Sequence, residues 1–200
     1  MSANKIKVAA LSLFAERGYD GTSLALIAEQ IGIKKQSIYA HFKGKEDLFL
    51  SLLTETFTIE LEREEQFLEQ YYTSALDTFL KASLASFLSR YNHDNRLKFW
   101  LKNTFLPPIH LYDKVNRQLN RYIHDVESLY IKRFETAVSK QEISMTNPQQ
   151  ANLAFSALID SVAVELIYGD QQRATAKMEA SWEIYWKGLT ATNRDFERGR

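Results

Sequence analysis

Apolar residues recur at helical spacing along almost the whole chain, and this periodicity constrains the fold more than any other feature of the sequence. In the first segment, Ile6, Ala9, Ala10, Leu13 and Phe14 fall on one side of a helix. Residues that break helices are scarce, with only 7 Gly and 3 Pro among 200 residues. The sequence contains no internal repeat of the kind found in solenoids. We therefore expect an all-α protein.

Capping and helix-breaking residues predict where each helix begins and ends. The first helix covers about 4–17 and ends before Gly18; the second is capped by Thr22 or Ser23 and stops at Gly32. A short third helix fits between residues 34 and 40. Longer helices are predicted at 45–72, 74–90, 95–105, 111–140, 148–168 and 172–189. This layout gives a three-helix head, residues 1–45, and a helical body, residues 46–200.

Charge is unevenly distributed along a chain whose formal net charge is zero. The segment from Gln30 to Lys45 contains four lysines and no carboxylate, whereas residues 46–69 contain eight carboxylates and one arginine. A basic segment on a neutral protein is typical of a small DNA-reading head on an acidic body. Charge clusters are also common on solvated helix faces, so this feature alone leaves both interpretations open.

Several other classes of protein are not indicated. The chain has no Cys, which excludes disulfides, thiolate metal sites and cysteine nucleophiles. We find neither a signal-peptide pattern nor an apolar stretch of about 18 residues, so we expect a cytoplasmic protein without a membrane partner. On one helix, His110 and His124 would lie about 21 Å apart, too far to share a metal. Without a phosphate-binding loop or nucleophile motif, we predict no enzymatic activity, cofactor or metal site.

The segment from Thr22 to Phe42 has the pattern of a helix-turn-helix. Such a motif needs a small residue where its helices cross, a glycine in the turn and apolar anchors on the second helix. Ala28, Gly32 and the pair Ile33 and Ile38 fill these roles. The polar side chains that remain outside are suited to phosphates and base edges; they are Lys34, Lys35, Gln36, Ser37 and Tyr39.

The run from Ile6 to Leu48 closely resembles the TetR/AcrR family of repressors. The residues that carry the resemblance are Ala9-Ala10, Leu13-Phe14, Gly18-Tyr19, Thr22-Ser23, Ile27-Ala28, Gly32-Ile33, Ile38-Tyr39, His41-Phe42, Lys45 and Leu48. The resemblance implies that Thr22 or Ser23 binds a phosphate, Gln36 and its neighbours read bases, Tyr39 and His41 contact the DNA backbone, and Lys45 holds another phosphate. Two positions depart from the family pattern. Lys34 stands where a capping Ser or Thr is usual, and Leu26 where an acidic or small residue is common.

The resemblance also implies roles for the body. The last two helices of each subunit would form a four-helix homodimer interface, and the helix from Pro148 is apolar on several sides, as such a helix must be. The predicted interface residues are Phe155, Ile159, Val162, Leu166, Trp182 and Tyr185. A pocket for a small hydrophobic ligand is expected among the aromatic-rich middle helices. Its candidate residues near the Pro107-Pro108 break are Trp100, Phe105, His110 and Tyr112.

Taken together, these patterns predict a homodimeric repressor that binds a pseudo-palindromic operator and is released by a small hydrophobic ligand. Two alternatives stay open at this point. The protein could be an architectural DNA-binding protein of the same fold without an inducer, or a helical small-molecule carrier whose head no longer binds DNA. Binding to genomic fragments separates the carrier from the other two, and the number of bound sites separates a repressor from an architectural protein.

Overall fold

The computed structural model describes residues 3–145 and 147–191, and within them it is built of helices without strands. The helices are α1 (Ala3–Arg17), α2 (Leu24–Gln30), α3 (Lys35–Tyr39), α4 (Lys45–Gln70), α5 (Leu76–Tyr91), α6 (Asn95–Phe105), α7 (Tyr112–Ser139), α8 (Pro148–Tyr168) and α9 (Gln171–Thr190). A single 3₁₀ turn, Ile109–Leu111, precedes α7. The predicted all-α class is confirmed.

Local sequence signals account for the helix ends. Asn147 caps α8 by accepting a hydrogen bond from the Gln150 N–H at 2.9 Å, with Pro148 in the first turn. Gly18 and Gly32 have φ of 71° and 69°, the left-handed conformation in which a side chain is strained. Gly18 donates to the Phe14 carbonyl at 3.0 Å and so ends α1.

The chain forms two compact units. Among the described residues, the first is formed by those up to Glu62 and by Arg90–Ile123, and the second by Arg63–Ser89 and by those from His124 onward. The predicted head is thus part of a larger unit, because Phe14 of α1 packs on Phe49 and Phe99, at ring-centroid distances of 5.3 and 6.2 Å. A division of function between residues 1–45 and 46–200 remains a prediction.

The core of the second unit is aromatic. Tyr130 of α7 lies between Phe79 of α5 and Phe155 of α8, with ring centroids 5.3 and 5.9 Å away. The Tyr130 hydroxyl is satisfied inside the protein, since it donates to Glu64 at 2.9 Å and lies 2.9 Å from the Ser83 hydroxyl. These contacts join α5, α7 and α8 around one core.

Helix α8 is long and apolar enough to cross a membrane by length and composition alone. It has 21 residues and a mean hydropathy of 1.4 in its most apolar window, of which 44% is buried inside the protein. Phe155 and Val162 lie in the core of the second unit, each 1% exposed. One buried face is typical of a core helix, and packing explains the apolar residues on that face.

Candidate DNA-binding and ligand sites

Helices α2 and α3 form a tight helix-turn-helix. The Gly32 N–H donates to the Glu29 carbonyl at 3.1 Å, and the Ile33 N–H donates to the Ala28 carbonyl at 2.9 Å. Ile38 is fully buried and fixes α3 to the rest of the first unit. The predicted crossing residue, Ala28, is also buried. The geometry agrees with the roles expected for these four residues.

The outer side of α3 is cationic and polar. Every predicted contact residue in this region is exposed; these are Lys34, Lys35, Gln36, Ser37, Tyr39 and His41. The Lys34 side chain makes no capping hydrogen bond, in keeping with the loss of the usual Ser or Thr. Lys35 lies one turn before Tyr39, with its amine 6.0 Å from the ring centroid. This surface can donate to phosphates and to base edges.

The two hydroxyl residues before α2 have different environments. Ser23 is the exposed N-cap, and its Oγ accepts from the Leu26 N–H at 3.2 Å. Thr22 is only 2% exposed and its hydroxyl donates to the Gly18 carbonyl at 2.8 Å. The Thr22 hydroxyl therefore closes the turn inside the protein and is not presented to a phosphate, so Ser23 is the hydroxyl available at this end of α2.

Lys45 begins α4 but points back to the loop between α1 and α2. Its amine donates to the carbonyl oxygen of Tyr19 at 3.0 Å and lies 4.0 Å from the centroid of the Tyr19 ring. The Lys45 side chain is half-buried, unlike the exposed lysines of α3. The amine predicted to bind a phosphate is thus held by two contacts within the protein.

Tyr19 packs against residues from several elements of the first unit. Its ring lies 5.0 Å from Phe49 of α4 and 5.1 Å from His110 of the 3₁₀ turn. Burial, with the nearby charges of Glu46 and Asp20, raises the pKa of the Tyr19 hydroxyl above its ordinary value. The hydroxyl is therefore neutral, and the ring acts as an apolar surface for its neighbours.

The four predicted ligand residues do not form one cluster. Trp100 is half-buried and packs edge-on against Tyr122 at 5.6 Å. Phe105 is half-buried, His110 packs on Tyr19, and Tyr112 is 53% exposed at the start of α7. His110 belongs to the 3₁₀ turn and faces Tyr19 of the head. Tyr112 follows the turn and faces solvent.

A different aromatic cluster surrounds Trp100. Tyr122 of α7 stacks on Phe57 of α4 with ring centroids 5.2 Å apart. The hydroxyl oxygens of Thr56 and Thr104 are shielded from solvent and have no hydrogen-bond partner among the described residues. Thr56 precedes Phe57 on α4, and Thr104 lies one turn after Trp100 on α6. Apolar side chains beside a few unsatisfied polar groups are a common feature of ligand sites. Phe57 and Thr56 were not predicted, because helical spacing alone does not distinguish them from ordinary core residues.

Three of the six predicted interface residues lie inside the protomer. Phe155, Val162 and Leu166 are at most 6% exposed, because this side of α8 packs in the core of the second unit. Ile159, Trp182 and Tyr185 are half-buried, and the Tyr185 hydroxyl donates to the Ala151 carbonyl at 2.9 Å. The solvent-exposed residues of α8 and α9 instead include several apolar ones, among them Leu153, Ala157, Val164, Tyr168 and Ile184.

The first unit also contains ion pairs made by residues of α4; the Glu60 pair is buried and the pair of Glu55 with Lys7 is partly exposed. Glu60 is 2% exposed and binds Arg90, with both carboxylate oxygens within 2.8 Å of Nη2. Burial opposes the charge on Arg90, but Glu60 and Asp94 outweigh it, so the pKa of the guanidinium is raised. Glu55 binds Lys7 of α1 at 2.8 Å. The described residues contain no group of three metal-ligating side chains.

A helix-turn-helix with an exposed cationic second helix, joined to a helical body, defines a class of DNA-binding regulatory proteins. The family model of bacterial regulatory proteins of the tetR family matches residues 6–52, which contain this motif. Residues 6–52 thus match the DNA-binding region of bacterial regulatory proteins of the tetR family, and the resemblance identified from the sequence is confirmed.

Individual relatives are consistent with this match. The fatty acid metabolism regulator protein of Bacillus subtilis is 25% identical over 185 residues, which cover 90% of this chain and 92% of that protein. The biofilm operon icaADBC negative transcriptional regulator IcaR of Staphylococcus epidermidis is 46% identical over 46 residues, 23% of this chain and 25% of that protein. The second match is confined to about the length of the DNA-binding motif.

Solved structures share the fold. The transcriptional regulator FadR from Bacillus subtilis, in complex with stearoyl-CoA, aligns with a TM-score of 0.69 and 22% identity, covering 94% of this chain and 100% of that one. NalD, the secondary repressor of the MexAB-OprM multidrug efflux pump in Pseudomonas aeruginosa, aligns with a TM-score of 0.66 and 21% identity, covering 94% of each chain. At these identities the likeness concerns the fold.

Proposed function

We propose that the protein is a homodimeric transcriptional repressor that binds a pseudo-palindromic operator and releases it when a hydrophobic ligand binds. The observation that carries this proposal is the fully exposed polar side of α3 on a firmly anchored helix-turn-helix. Gln36 would enter the major groove, while Lys35, Ser23 and His41 would contact phosphates. A dimer would place two α3 helices in successive major grooves, about 34 Å apart.

The proposed dimer surface is the solvent-facing side of α8 and α9. Leu153, Tyr168 and Ile184 are 60, 62 and 75% exposed in the protomer. An apolar helix side of this extent is costly in water and is usually covered by a partner. In this family a second copy of the chain is the natural partner, because C₂ dimers bring identical patches together.

The proposed ligand site is the aromatic cluster of Phe57, Trp100 and Tyr122. Its aromatic side chains favour a long hydrocarbon or an aromatic molecule, and the hydroxyls of Thr56 and Thr104 could hold a polar group. The relative from Bacillus subtilis is a fatty acid metabolism regulator, and a FadR from that organism was solved with stearoyl-CoA. We infer that a long-chain acyl-CoA is the first ligand class to test.

The test uses a duplex selected by the purified protein from a random DNA pool. Stearoyl-CoA should lower the affinity for this duplex by about 5- to 150-fold, and by linkage the duplex should weaken stearoyl-CoA by the same factor. CoA alone should have no effect, because it lacks the acyl chain. Trp100→Phe should reduce the response, while Trp186→Phe on α9 serves as the matched control.

The other outcomes identify the alternative functions. If no duplex is enriched, the protein does not bind DNA, and the alternative function of a small-molecule carrier is favoured. If duplexes are bound but neither acyl-CoA nor other lipophilic compounds change their affinity, the ligand-controlled half of the proposal is wrong. Many dispersed genomic sites, in place of a few promoter sites, would then indicate an architectural protein.

A further inference from the structure

Tyr19 connects the start of α4 with the corner between α6 and α7. The Lys45 amine lies 4.0 Å from the Tyr19 ring centroid, and the His110 ring lies 5.1 Å from it. The Tyr19 carbonyl accepts from the Lys45 amine at 3.0 Å and from the Thr22 N–H at 3.2 Å. One residue thus contacts the lysine predicted to bind phosphate, the turn before α2 and the α6–α7 corner.

The three aromatic partners of the Tyr19 ring, which are Phe14, Phe49 and His110, differ in how firmly the protein holds them. Phe49 is fully buried, and Phe14 stacks on Tyr19 with ring centroids 6.0 Å apart. His110, in contrast, is exposed and belongs to a short 3₁₀ turn. The core therefore fixes one side of the ring, and His110 is the contact most easily changed.

The Lys45 amine can contact either Tyr19 inside the protein or a phosphate of bound DNA. Inside the protein it contacts the Tyr19 ring and carbonyl, and during DNA binding a phosphate would compete for the same protons. A half-buried lysine that rests on a fixed ring has fewer accessible orientations than a free surface lysine, so less entropy is lost when it binds a phosphate. The position of the ring therefore determines where the amine is presented.

We propose that His110 and Tyr19 are positioning residues for Lys45, so that the α6–α7 corner acts on a phosphate contact of the head. This proposal depends on the DNA binding proposed above. Among the described residues, the ring contact of His110 is with Tyr19, and the Tyr19 carbonyl in turn accepts from the Lys45 amine. This route would carry an effect of His110 to the phosphate contact.

A double-mutant cycle tests this dependence without any ligand. His110→Ala, Lys45→Ala and the double variant are titrated with the selected duplex over a range of KCl concentrations. Lys45→Ala should weaken binding and reduce the salt slope by about one. His110→Ala should weaken binding by about threefold to tenfold, and this loss should disappear in the Lys45→Ala background, because coupled residues are not additive.

Two further variants separate positioning from general stability. His110→Phe keeps a ring against Tyr19 and should restore most of the affinity lost in His110→Ala. His93→Ala removes another exposed histidine, located between α5 and α6, and should leave binding unchanged. Since His110 and His93 are exposed, the variants at these two positions should have wild-type circular dichroism and melting temperature.

Each contrary outcome has its own meaning. Additive losses in the cycle, no loss in His110→Ala, or failure of His110→Phe to restore affinity would overturn the positioning role while leaving DNA binding intact. An unchanged salt slope in Lys45→Ala would also overturn it, because Lys45 would then not bind phosphate. A wild-type protein that binds no duplex would overturn the proposed function itself.

Discussion

Glu60 of α4 and Arg90 at the end of α5 form an ion pair that is almost excluded from water. Arg90 Nη2 lies 2.8 and 2.7 Å from the two carboxylate oxygens, and the same nitrogen lies 3.0 Å from Asp94. The side chains of Arg90 and Glu60 are 17% and 2% exposed. The charge on either side chain is stabilised by its partner, since water cannot reach the pair and take the partner's place.

Replacing one member of this pair should therefore be costly. Glu60→Gln keeps the side-chain volume but leaves Arg90 with Asp94 as its remaining carboxylate, and we expect a loss of about 3 kcal/mol in the free energy of unfolding. Urea denaturation monitored by circular dichroism measures this value. Glu183→Gln breaks the exposed pair with Lys187 and should have no measurable effect. Equal losses in both variants would contradict the buried-pair argument.

Glycine should be required at position 32 because of the backbone conformation there, and not because a larger side chain would clash with its neighbours. Its φ is 69°, and a Cβ at this position would meet no atom within 4 Å. Gly32→Ala should lower the free energy of unfolding by about 1 to 2 kcal/mol through strain alone. Gly188→Ala, in the exposed part of α9, should instead raise it by about 0.5 to 1 kcal/mol, because Ala favours helix. Urea denaturation at one protein concentration should reveal the opposite signs.

Features encoded by neighbouring residues were predictable from the sequence. Gly18, Gly32 and the pair Asn147 and Pro148 mark helix ends through local backbone chemistry, and the predicted helix ends lie within two residues of those observed. Each signal acts over a few residues, so it needs no knowledge of the tertiary structure. For the same reason the helix-turn-helix could be placed correctly.

Features that depend on distant residues were not predictable. The Lys45 amine is directed by Tyr19, 26 positions earlier in the chain. Thr22 and Ser23 have the same chemistry, and only packing determines which of them is buried. Phe155 of α8 is apolar, as an interface residue would be, but the periodicity of an apolar helix does not show which side faces the protomer core. Sequence therefore located the helix-turn-helix, while the buried side of α8 had to come from the structure.

Two substitutions on the proposed DNA-binding surface of α3 should have different effects, one on general DNA affinity and the other on base preference. Lys35→Ala should weaken binding to every duplex and reduce the salt slope by about one, whereas Gln36→Ala should change the preferred base at one position of each half-site. Selection from random DNA followed by anisotropy titration measures both effects. Lys140→Ala removes the same charge from an exposed position on the helical body and should change neither. A result in which all three variants behave alike would argue against α3 as the reading helix.

The dimer should depend on the solvent-facing side of α8 and α9. Ile184→Glu places a charge on the proposed interface at a residue that is 75% exposed in the protomer, so it should give a folded monomer. Val162→Glu should unfold the protein instead, because Val162 is 1% exposed. Sedimentation velocity and circular dichroism distinguish these results. Ile109→Glu, at a residue 94% exposed but outside this surface, should remain a dimer.

Asp160 should make the dimer sensitive to pH, because it lies on the same helix side as Ala157 and Val164. The side chain of Asp160 is exposed in the protomer, but the neighbouring protein atoms desolvate its carboxyl and already raise its pKa. A partner subunit would bury it further, so the dimer binds the proton more tightly than the monomer does. Dimer affinity should therefore rise as the pH falls through the raised pKa and stay low above it. Asp160→Asn should strengthen the dimer at pH 7 and abolish this dependence. Sedimentation equilibrium from pH 4.5 to 8 tests the prediction; equal pH dependence in wild type and variant would refute it.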